Sequence, residues 1–395
     1  MPQVKPQIQT FAKIKVVGIG GGGCNAVTRM SEASIKGVEF IAINTDAQDL
    51  HYTQAKHKLN IGKNLTRGLG TGMNPELGQQ AAEENREEIV EALKGADMIF
   101  ITAGFGGWTG SGASPIVAEI AKEIGALCVG VVTKPFSFEG AQRARIAEEA
   151  LAKFKDRVDA LITIPNDRVF AIIEKDTPLT RAFEIIDDVL RHSVQGISEI
   201  VAAPGIINVD FADVKAILNE SGPAIVGIGI SAGNDRHLIA AKQAIQSPLI
   251  ELSIDGAKGV LFSVAGGTDL KMLEIQEAAK IITESIDSNA KVIFGAYHDR
   301  RLRKGSLKVT VIAAGFNNLG FIKPNNFPTL FSIKGEPKAK KPEITAVLTS
   351  EEVEIKTKDI KDAHKDTGEG KKEEIEALEK EKIWEIPTFL RRRRR

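Results

Sequence analysis

Three glycine-rich runs hold the residues of this chain whose types and spacing best suit chemistry, and that chemistry is the binding of phosphate. The densest is Ile101-Thr102-Ala103-Gly104-Phe105-Gly106-Gly107-Trp108-Thr109-Gly110-Ser111-Gly112, in which five of twelve residues are glycine. Residues without a Cβ take positive φ and let backbone N–H groups approach an anion closely, while Thr109 and Ser111 add hydroxyls. A second run, Val16-Val17-Gly18-Ile19-Gly20-Gly21-Gly22-Gly23-Cys24-Asn25-Ala26, contains G-x-G-x-x-G as Gly18, Gly20 and Gly23, a dinucleotide-fold pattern. The third, Leu65-Thr66-Arg67-Gly68-Leu69-Gly70-Thr71-Gly72-Met73-Asn74, stands before a helical pattern from Pro75 to Val90. One such run is an ordinary turn; three, each ahead of a helix, point to phosphate at helix N-termini.

The elements that must position these loops are legible in the periodicity. Strand-like apolar runs at Ile14 to Ile19, Glu39 to Asn44, Met98 to Ala103, Leu127 to Thr133 and Ala160 to Pro165 alternate with helical patterns, which predicts a parallel sheet with crossover helices. The Ala113 to Ala118 segment opens the helical pattern that follows the densest loop, so its glycines are expected in a strand-to-helix turn. Residues Thr177 to Ala203 carry Leu179, Phe183, Ile186, Leu190, Val194, Ile197 and Val201 at steps of three or four, one long helix packed along a core. Further strand-like runs, Ala224 to Ile230, Gly259 to Val264, Lys291 to Ala296 and Leu307 to Ala314, with helices near Arg236 to Ile245 and Leu270 to Ser285, make a second, smaller α/β unit.

From Lys334 to Lys382 the chain is dense in Lys and Glu with few aromatics, the composition of a disordered linker. Apolar residues return in Ile383-Trp384-Glu385-Ile386-Pro387-Thr388-Phe389-Leu390, ahead of five arginines, and Ile386, Phe389 and Leu390 have the spacing of anchors for a hydrophobic groove.

Composition narrows the function classes. The chain has 395 residues, 43% of them hydrophobic, ample for two or three domains. No apolar run nears the roughly 20 residues a bilayer needs, and the first ten residues lack a signal-peptide core, so the expected location is the cytoplasm. Cys24 and Cys128 alone cannot make a disulfide framework or zinc site, the six histidines show no metal-ligand spacing, and no metal residue is assigned. A formal net charge of zero removes the general case for nucleic acid as a partner. A dinucleotide dehydrogenase wants an acidic residue closing the second strand, where this chain has Asn44, and the P-loop pattern G-x-x-x-x-G-K-[ST] is absent.

Taken in order, five segments resemble the FtsZ family, the bacterial cell-division homologues of tubulin. They are Gly20 to Asn25, Gly104 to Gly112, Thr133-Lys134-Pro135-Phe136-Ser137-Phe138-Glu139-Gly140, Ile164-Pro165-Asn166-Asp167, and Asn208-Val209-Asp210-Phe211-Ala212-Asp213-Val214. The resemblance implies an α/β fold: a Rossmann-like GTP-binding domain with a parallel sheet over 11–176, a central helix over 177–206 and a second, smaller α/β GTPase-activating domain over 207–318. A disordered charged linker, 319–382, and a partner-binding peptide, 383–395, would follow.

The resemblance also implies a GTP/GDP site. In it Gly21, Gly22, Gly23, Cys24 and Asn25 hold phosphate and nearby sugar, Gly70, Thr71 and Gly72 face the γ-phosphate, and Gly107, Trp108, Thr109 and Gly110 wrap the phosphates. Glu139 and Arg143 would contact the ribose, Asn166 would reach the base, Phe183 would stack on guanine and Asp187 would accept from its N1 and N2 groups. Phe183 and Asp187, four residues apart, share a helix face, and Glu139 and Arg143 at the same interval could equally form an exposed ion pair. Asn208, Asp210 and Asp213 would organise water and cation at a neighbouring subunit's nucleotide, so that head-to-tail stacking completes each site; an ordinary helix N-cap is the plainer reading of these polar residues. Mg2+ is expected with the nucleotide, with a monovalent cation as an option. Expected partners are the chain itself, membrane-tethering and regulatory division proteins through Glu385 to Arg391, and an anionic membrane through Arg391 to Arg395, at about 1 kcal/mol per basic residue.

Trp108 departs from the family signature, which usually reads G-G-G-T-G-T-G where this chain has Gly106 to Gly112. At positive φ a large side chain would add strain of about 1–3 kcal/mol; at negative φ the indole turns aside and leaves the N–H donors in place, and this second arrangement is expected. The competing reading is a nucleotide-dependent polymer with weak turnover.

Overall fold

Alternate residues of the central strands face opposite layers, as the pleat of a strand requires. The computed structural model describes residues 12–35, 37–174, 176–202, 206–246, 253–299 and 301–316. In chain order these form β1 (Ile14–Ile19), α1 (Gly20–Glu32), β2 (Val38–Asn44), α2 (Ala47–Tyr52), β3 (His57–Asn60), α3 (Lys63–Thr66), α4 (Pro75–Glu84), α5 (Arg86–Leu93), β4 (Met98–Gly104), α6 (Trp108–Glu123) and β5 (Leu127–Lys134). There follow α7 (Ala141–Lys155), β6 (Ala160–Pro165), α8 (Leu179–Ala202), α9 (Phe211–Leu218), β7 (Gly222–Ala232), α10 (Arg236–Ile245), β8 (Gly259–Gly266), α11 (Met272–Thr283), β9 (Lys291–His298) and β10 (Ser306–Ala314). The expected linker 319–382 and terminal peptide 383–395 lie outside the described residues.

Val17, Ile19, Ile99 and Ile101 point to a layer containing Ala81, Ile89, Ile116 and Leu151, whereas Val16, Met98 and Phe100 point to Met30 of α1 and to Leu190, Val194 and Ile197 of α8. Strands covered on both faces read as continuous apolar runs, which is why these segments stand out in the sequence. The sheet order is β3-β2-β1-β4-β5-β6-β7-β10-β8-β9. Its first six strands are parallel in the doubly wound order 3-2-1-4-5-6, so the chain changes direction of travel between β1 and β4. β6 and β7 pair only through Ala160–Gly222 and Leu161–Pro223. Beyond that narrow seam β10 is antiparallel to both β7 and β8, and β9 is parallel to β8.

α8 is tied to this second half by buried charge. Lys308 Nζ donates to Glu199 Oε2 at 2.7 Å and lies 3.5 Å from Asp299 Oδ2; Tyr297 OH donates to Glu199 Oε2 at 2.9 Å, and Arg301 pairs with both carboxylates.

Two helical expectations need correction. The Pro75 to Val90 pattern is two helices, α4 and α5, broken at Asn85, whose side-chain oxygen accepts from the Gly62 N–H at 2.8 Å and so serves the neighbouring loop. The helix after β4 begins at Trp108 rather than near Ala113, so Gly110 and Gly112 are helical. A Cβ on Gly112 would lie 2.0 Å from the Pro75 carbonyl oxygen, and one on Gly78 would lie 2.9 Å from that of Trp108. These two glycines permit the close approach of α4 and α6; Gly112 is a packing residue, not part of a phosphate turn.

Candidate functional site

The N-termini of α1 and α6 meet at the point between β1 and β4 where the strand order reverses, the crevice in which open α/β sheets take ligands. Their backbones nearly touch: a Cβ on Gly20 (φ +69°) would sit 2.9 Å from the Gly110 nitrogen, and one on Gly22 would sit 3.3 Å from the Gly104 nitrogen. Neither helix has a side-chain cap, since Ile19 and Gly107 occupy the cap positions, whereas α2, α4 and α9 are capped by Asp46, Asn74 and Asp210. First-turn N–H groups without a cap, backed by two helix dipoles, form a seat for an anion.

Gly18 and Gly23 of the G-x-G-x-x-G match serve this geometry from behind. A Cβ on Gly18 would lie 2.3 Å from the Gly23 carbonyl oxygen, and one on Gly23 would lie 2.4 Å from that of Thr102. The Asn44 amide donates to Asp49 Oδ2 at 2.6 Å, so the position that holds ribose in dinucleotide folds is spent on an internal bond.

From this seat a cleft of about 650 Å3 runs along α8. Gly22, Asn25, Gly107, Glu139, Arg143, Asn166, Phe183 and Asp187 all line it, so the structure gathers residues 165 positions apart in sequence into one site. Phe183 is 43% exposed and meets Phe136 edge-on at 5.6 Å, so its ring faces the cleft instead of the core, although it continues the apolar stripe of α8. Asn166 is buried, and among the described residues its side-chain oxygen has no hydrogen-bond partner. An orphaned acceptor in a cleft wall awaits a donor from a ligand or water.

Asp187 receives Arg29 Nε on Oδ2 at 2.8 Å. Burial pushes its carboxyl up to about 6; Arg29 opposes that shift, and Asp188 and Glu184 on its own helix add to it. Glu139 accepts from the Phe136 N–H at 3.0 Å and pairs with Arg143 through its other oxygen. The ion pair that the i,i+4 spacing allowed does form, and it forms at the cleft wall.

Trp108 is the first residue of α6 and is not among the positive-φ residues, so its backbone is unstrained and its indole turns aside. The ring stacks under the Arg143 guanidinium, 5.0 Å from centroid to carbon. Gly70 (φ +81°) and Gly72 (φ +54°) have open space around their missing Cβ atoms, so backbone conformation is what calls for glycine there.

Several expected residues act differently from the reading of their sequence. Cys24 is fully buried against Ala42 and Leu50, and burial raises its thiol to about 12; its side chain cannot reach a ligand, which leaves only its backbone in the phosphate turn. Thr109 is hydrogen-bonded to Thr45 at 2.7 Å and to Thr71 at 3.3 Å, and Ser111 accepts from the Gly106 N–H at 3.0 Å; these hydroxyls brace the loops instead of standing free as donors. Asn208, Asp210 and Asp213 do not line the cleft. They follow the far end of α8, roughly 22 Å along the axis beyond Asp187 at 1.5 Å per residue, and Asp210 caps α9 by accepting from the Asp213 N–H at 2.8 Å.

Thr45 and Arg29 escaped the sequence reading. Thr45 shows no signal, because its bond to Thr109 spans 64 residues. Arg29 could have been found, since it lies four residues after Asn25 on α1 and therefore on the same helix face.

Comparison with known proteins agrees with this geometry. Residues 13–174 match the model of the tubulin/FtsZ family GTPase domain, and residues 222–317 match that of the FtsZ family C-terminal domain. An FtsZ from M. jannaschii, solved as an empty dimer, is 44% identical over 82% of this chain and 96% of its own, with a TM-score of 0.74. A point mutant of M. jannaschii FtsZ is 47% identical over 78% and 92%, also at 0.74. CetZ2 from Haloferax volcanii, solved as a GTPγS-bound protofilament, shares the fold at 22% identity over 76% and 92%, with a TM-score of 0.66. A cleft built from two uncapped helix N-termini and an α8 carboxylate, on a sheet and sequence matched over nearly the whole described chain, makes this protein a member of the FtsZ branch of the tubulin/FtsZ GTPase family.

Proposed function

We propose that the chain binds GTP in this cleft, stacks head to tail on further copies of itself, and hydrolyses the nucleotide at the junction. The observation that carries the reading is the pairing, in one cleft, of an anion seat made of uncapped N–H groups with Asp187 and Asn166 in its wall. The seat takes phosphates of any nucleotide. A carboxylate facing the base selects guanine, whose N1 and N2 groups are both donors, and rejects adenine, which has an acceptor at N1.

Magnesium would ride on the phosphates. Among the described residues no three His, Cys, Asp or Glu side chains stand together as a metal cage, and this cation usually binds through substrate phosphates and one or two carboxylates. When bound it would neutralise charge on the phosphate oxygens, while the residues of the chain hold the nucleotide in line for water.

Hydrolysis needs a group to orient the water; among the described residues the carboxylates lining the cleft are Glu139 and Asp187, each paired with an arginine, and Glu32 at the C-terminal end of α1, away from the seat. Asp210 and Asp213 lie beyond the opposite end of α8, which supports a site completed by a neighbour: residues 207–213 of one copy would meet the phosphates of the next. A contact between unlike faces of identical subunits generates an open filament. In this reading residues 11–176 bind the nucleotide, 177–206 link, and 207–318 activate. The filament belongs to the division ring at mid-cell on the inner membrane face, with residues 385–391 docking tethers and regulators and 391–395 adding attraction to anionic lipid.

Phosphate release and light scattering measured against total protein test this together. Turnover per subunit should be near zero at low concentration and rise steeply above a threshold, with scattering rising at the same point. Turnover per subunit that is independent of concentration would refute the shared site. Scattering without release would mark a structural polymer, and preference for a nicotinamide dinucleotide would refute the reading altogether.

A further inference from the structure

The position where the glycine signature ordinarily has no side chain holds Trp108, and its ring is not idle. The Arg143 guanidinium lies over the indole at 5.0 Å, within cation–π range, and its edge is held by Glu139. Glu139 is itself fixed by the Phe136 N–H, and Gly106 (φ +89°) packs so closely that a Cβ there would lie 3.0 Å from the Arg143 carbonyl oxygen. The Trp108 indole N–H is buried and has no acceptor among the described residues, so stacking, not a hydrogen bond, orients the ring. A buried donor left unpaired is unfavourable, and its retention calls for a purpose. Arg143, Glu139 and Gly107 line the cleft, and Trp108 is not among its lining residues.

We propose that Trp108 is a positioning residue for nucleotide binding, a rigid platform that holds the Arg143 guanidinium over the cleft where the phosphate–ribose part of a guanine nucleotide must pass. This rests on the GTP reading above and deepens it. The Arg143 side chain is 40% exposed, and an arginine so placed samples many rotamers; Glu139 restrains one edge and the indole restrains the face. The bulky residue in the phosphate loop thus leaves the backbone N–H seat intact and adds a fixed cation beside it.

The test uses the full chain with Trp384→Phe, which leaves Trp108 as its one tryptophan. GDP affinity is measured by calorimetry for this protein and for Trp108→Leu, Trp108→Phe, Arg143→Met and the Trp108→Leu/Arg143→Met double variant, with circular dichroism as the check on folding. Trp108→Leu should weaken GDP binding by about 3- to 30-fold, the range of a partly desolvated cation–π contact, and Trp108→Phe should recover most of that loss. The double variant should bind no more weakly than Arg143→Met, because the platform acts only through the guanidinium. Indole emission should change saturably with GDP and cease to respond in Arg143→Met. Wild-type affinity in Trp108→Leu, or losses that add in the double variant, would overturn the proposal. If Trp108→Leu does not fold, the emission response decides: a GDP response that persists in Arg143→Met overturns it. A parent protein that binds no GDP refutes the GTP reading instead, so the two failures are distinguishable.

Discussion

Asp187 sets stability against binding, and the conflict can be measured. Burial pushes its carboxyl up to about 6 despite the Arg29 pair, with Asp188 and Glu184 adding to the shift. A displacement of about two pKa units from an ordinary aspartate corresponds to at most about 3 kcal/mol. The empty fold binds this proton more tightly than the unfolded chain does. Its contribution therefore favours the folded state fully below the unfolded value near 4, and is lost as pH rises through 6. Asp187→Asn keeps the shape and removes the charge, so at pH 7.5 the empty variant should be more stable than the parent, by up to about 3 kcal/mol; about half of that difference should remain at pH 5, and the two should converge below about pH 4.

Nucleotide binding should respond with the opposite sign. If, as proposed, the ionised carboxylate accepts two guanine donors, losing that charge costs about 3 kcal/mol, roughly 150-fold in GDP affinity at pH 7.5. In the parent the ionised fraction falls about tenfold between pH 7 and pH 5, so the ratio of parent to variant affinity should fall by about tenfold over the same interval. The phosphates' own titration is common to both proteins and cancels in that ratio. Urea unfolding and GDP calorimetry at pH 5, 6, 7 and 8 supply both readouts. A ratio that stays flat across this range, or an Asp187→Asn protein less stable than the parent at pH 7.5, would refute the reasoning.

Gly112→Ala places a methyl 2.0 Å from the Pro75 carbonyl oxygen; the gain in helix propensity is outweighed, and a loss of about 2 kcal/mol should appear as a lower melting temperature in calorimetry. Asp210→Asn preserves the α9 cap and removes the charge, whereas Asp210→Ala loses the cap at about 1 kcal/mol. If Asp210 orients water, both variants lose phosphate release above the assembly threshold; full turnover in Asp210→Asn would reduce it to a cap. Asp213→Ala should keep GDP affinity and lose turnover, and unchanged release per subunit would remove it from the site. Lys308→Met leaves Arg301 as the remaining cation for Glu199 and Asp299, whose burial alone would raise their carboxyls but whose Lys308 and Arg301 partners hold them below the usual range. The stability these groups confer is present above the ordinary carboxylate range and lost as pH falls through their lowered values. Lys308→Met should therefore be less stable to urea by about 1–3 kcal/mol at pH 7, since Arg301 still pairs both carboxylates, with a shallower loss on acidification.

Much of the positioning frame was readable because it is local. β1 and β6 coincide with their apolar runs, and α10 with its pattern, since alternation of two and periodicity of three or four follow from backbone geometry alone. α2 and β3 escaped notice because they are short and their burial is decided by neighbours, whereas α9 showed only its start, in the cap signal that Asp210 now fills. The start of α6 was misplaced for a related reason: glycine at 110 and 112 argues for a turn by propensity, and only the packing of α4 against α6 makes those residues helical.

The sequence by itself pointed to glycine-rich strand-to-helix junctions suited to an anion, because that chemistry needs only missing side chains and exposed N–H groups on consecutive residues. It also determined the family, through five segments in order. Tertiary structure alone decided which residues those loops face. It turned Phe183 out of an apolar stripe into the cleft, buried Cys24, brought Arg29 onto Asp187, and laid the Trp108 indole beneath Arg143. Such pairings join positions as far as 158 residues apart, and no periodicity along the chain encodes them. They arise when the doubly wound sheet brings the ends of β1, β4, β5 and β6 to one edge and α8 across them.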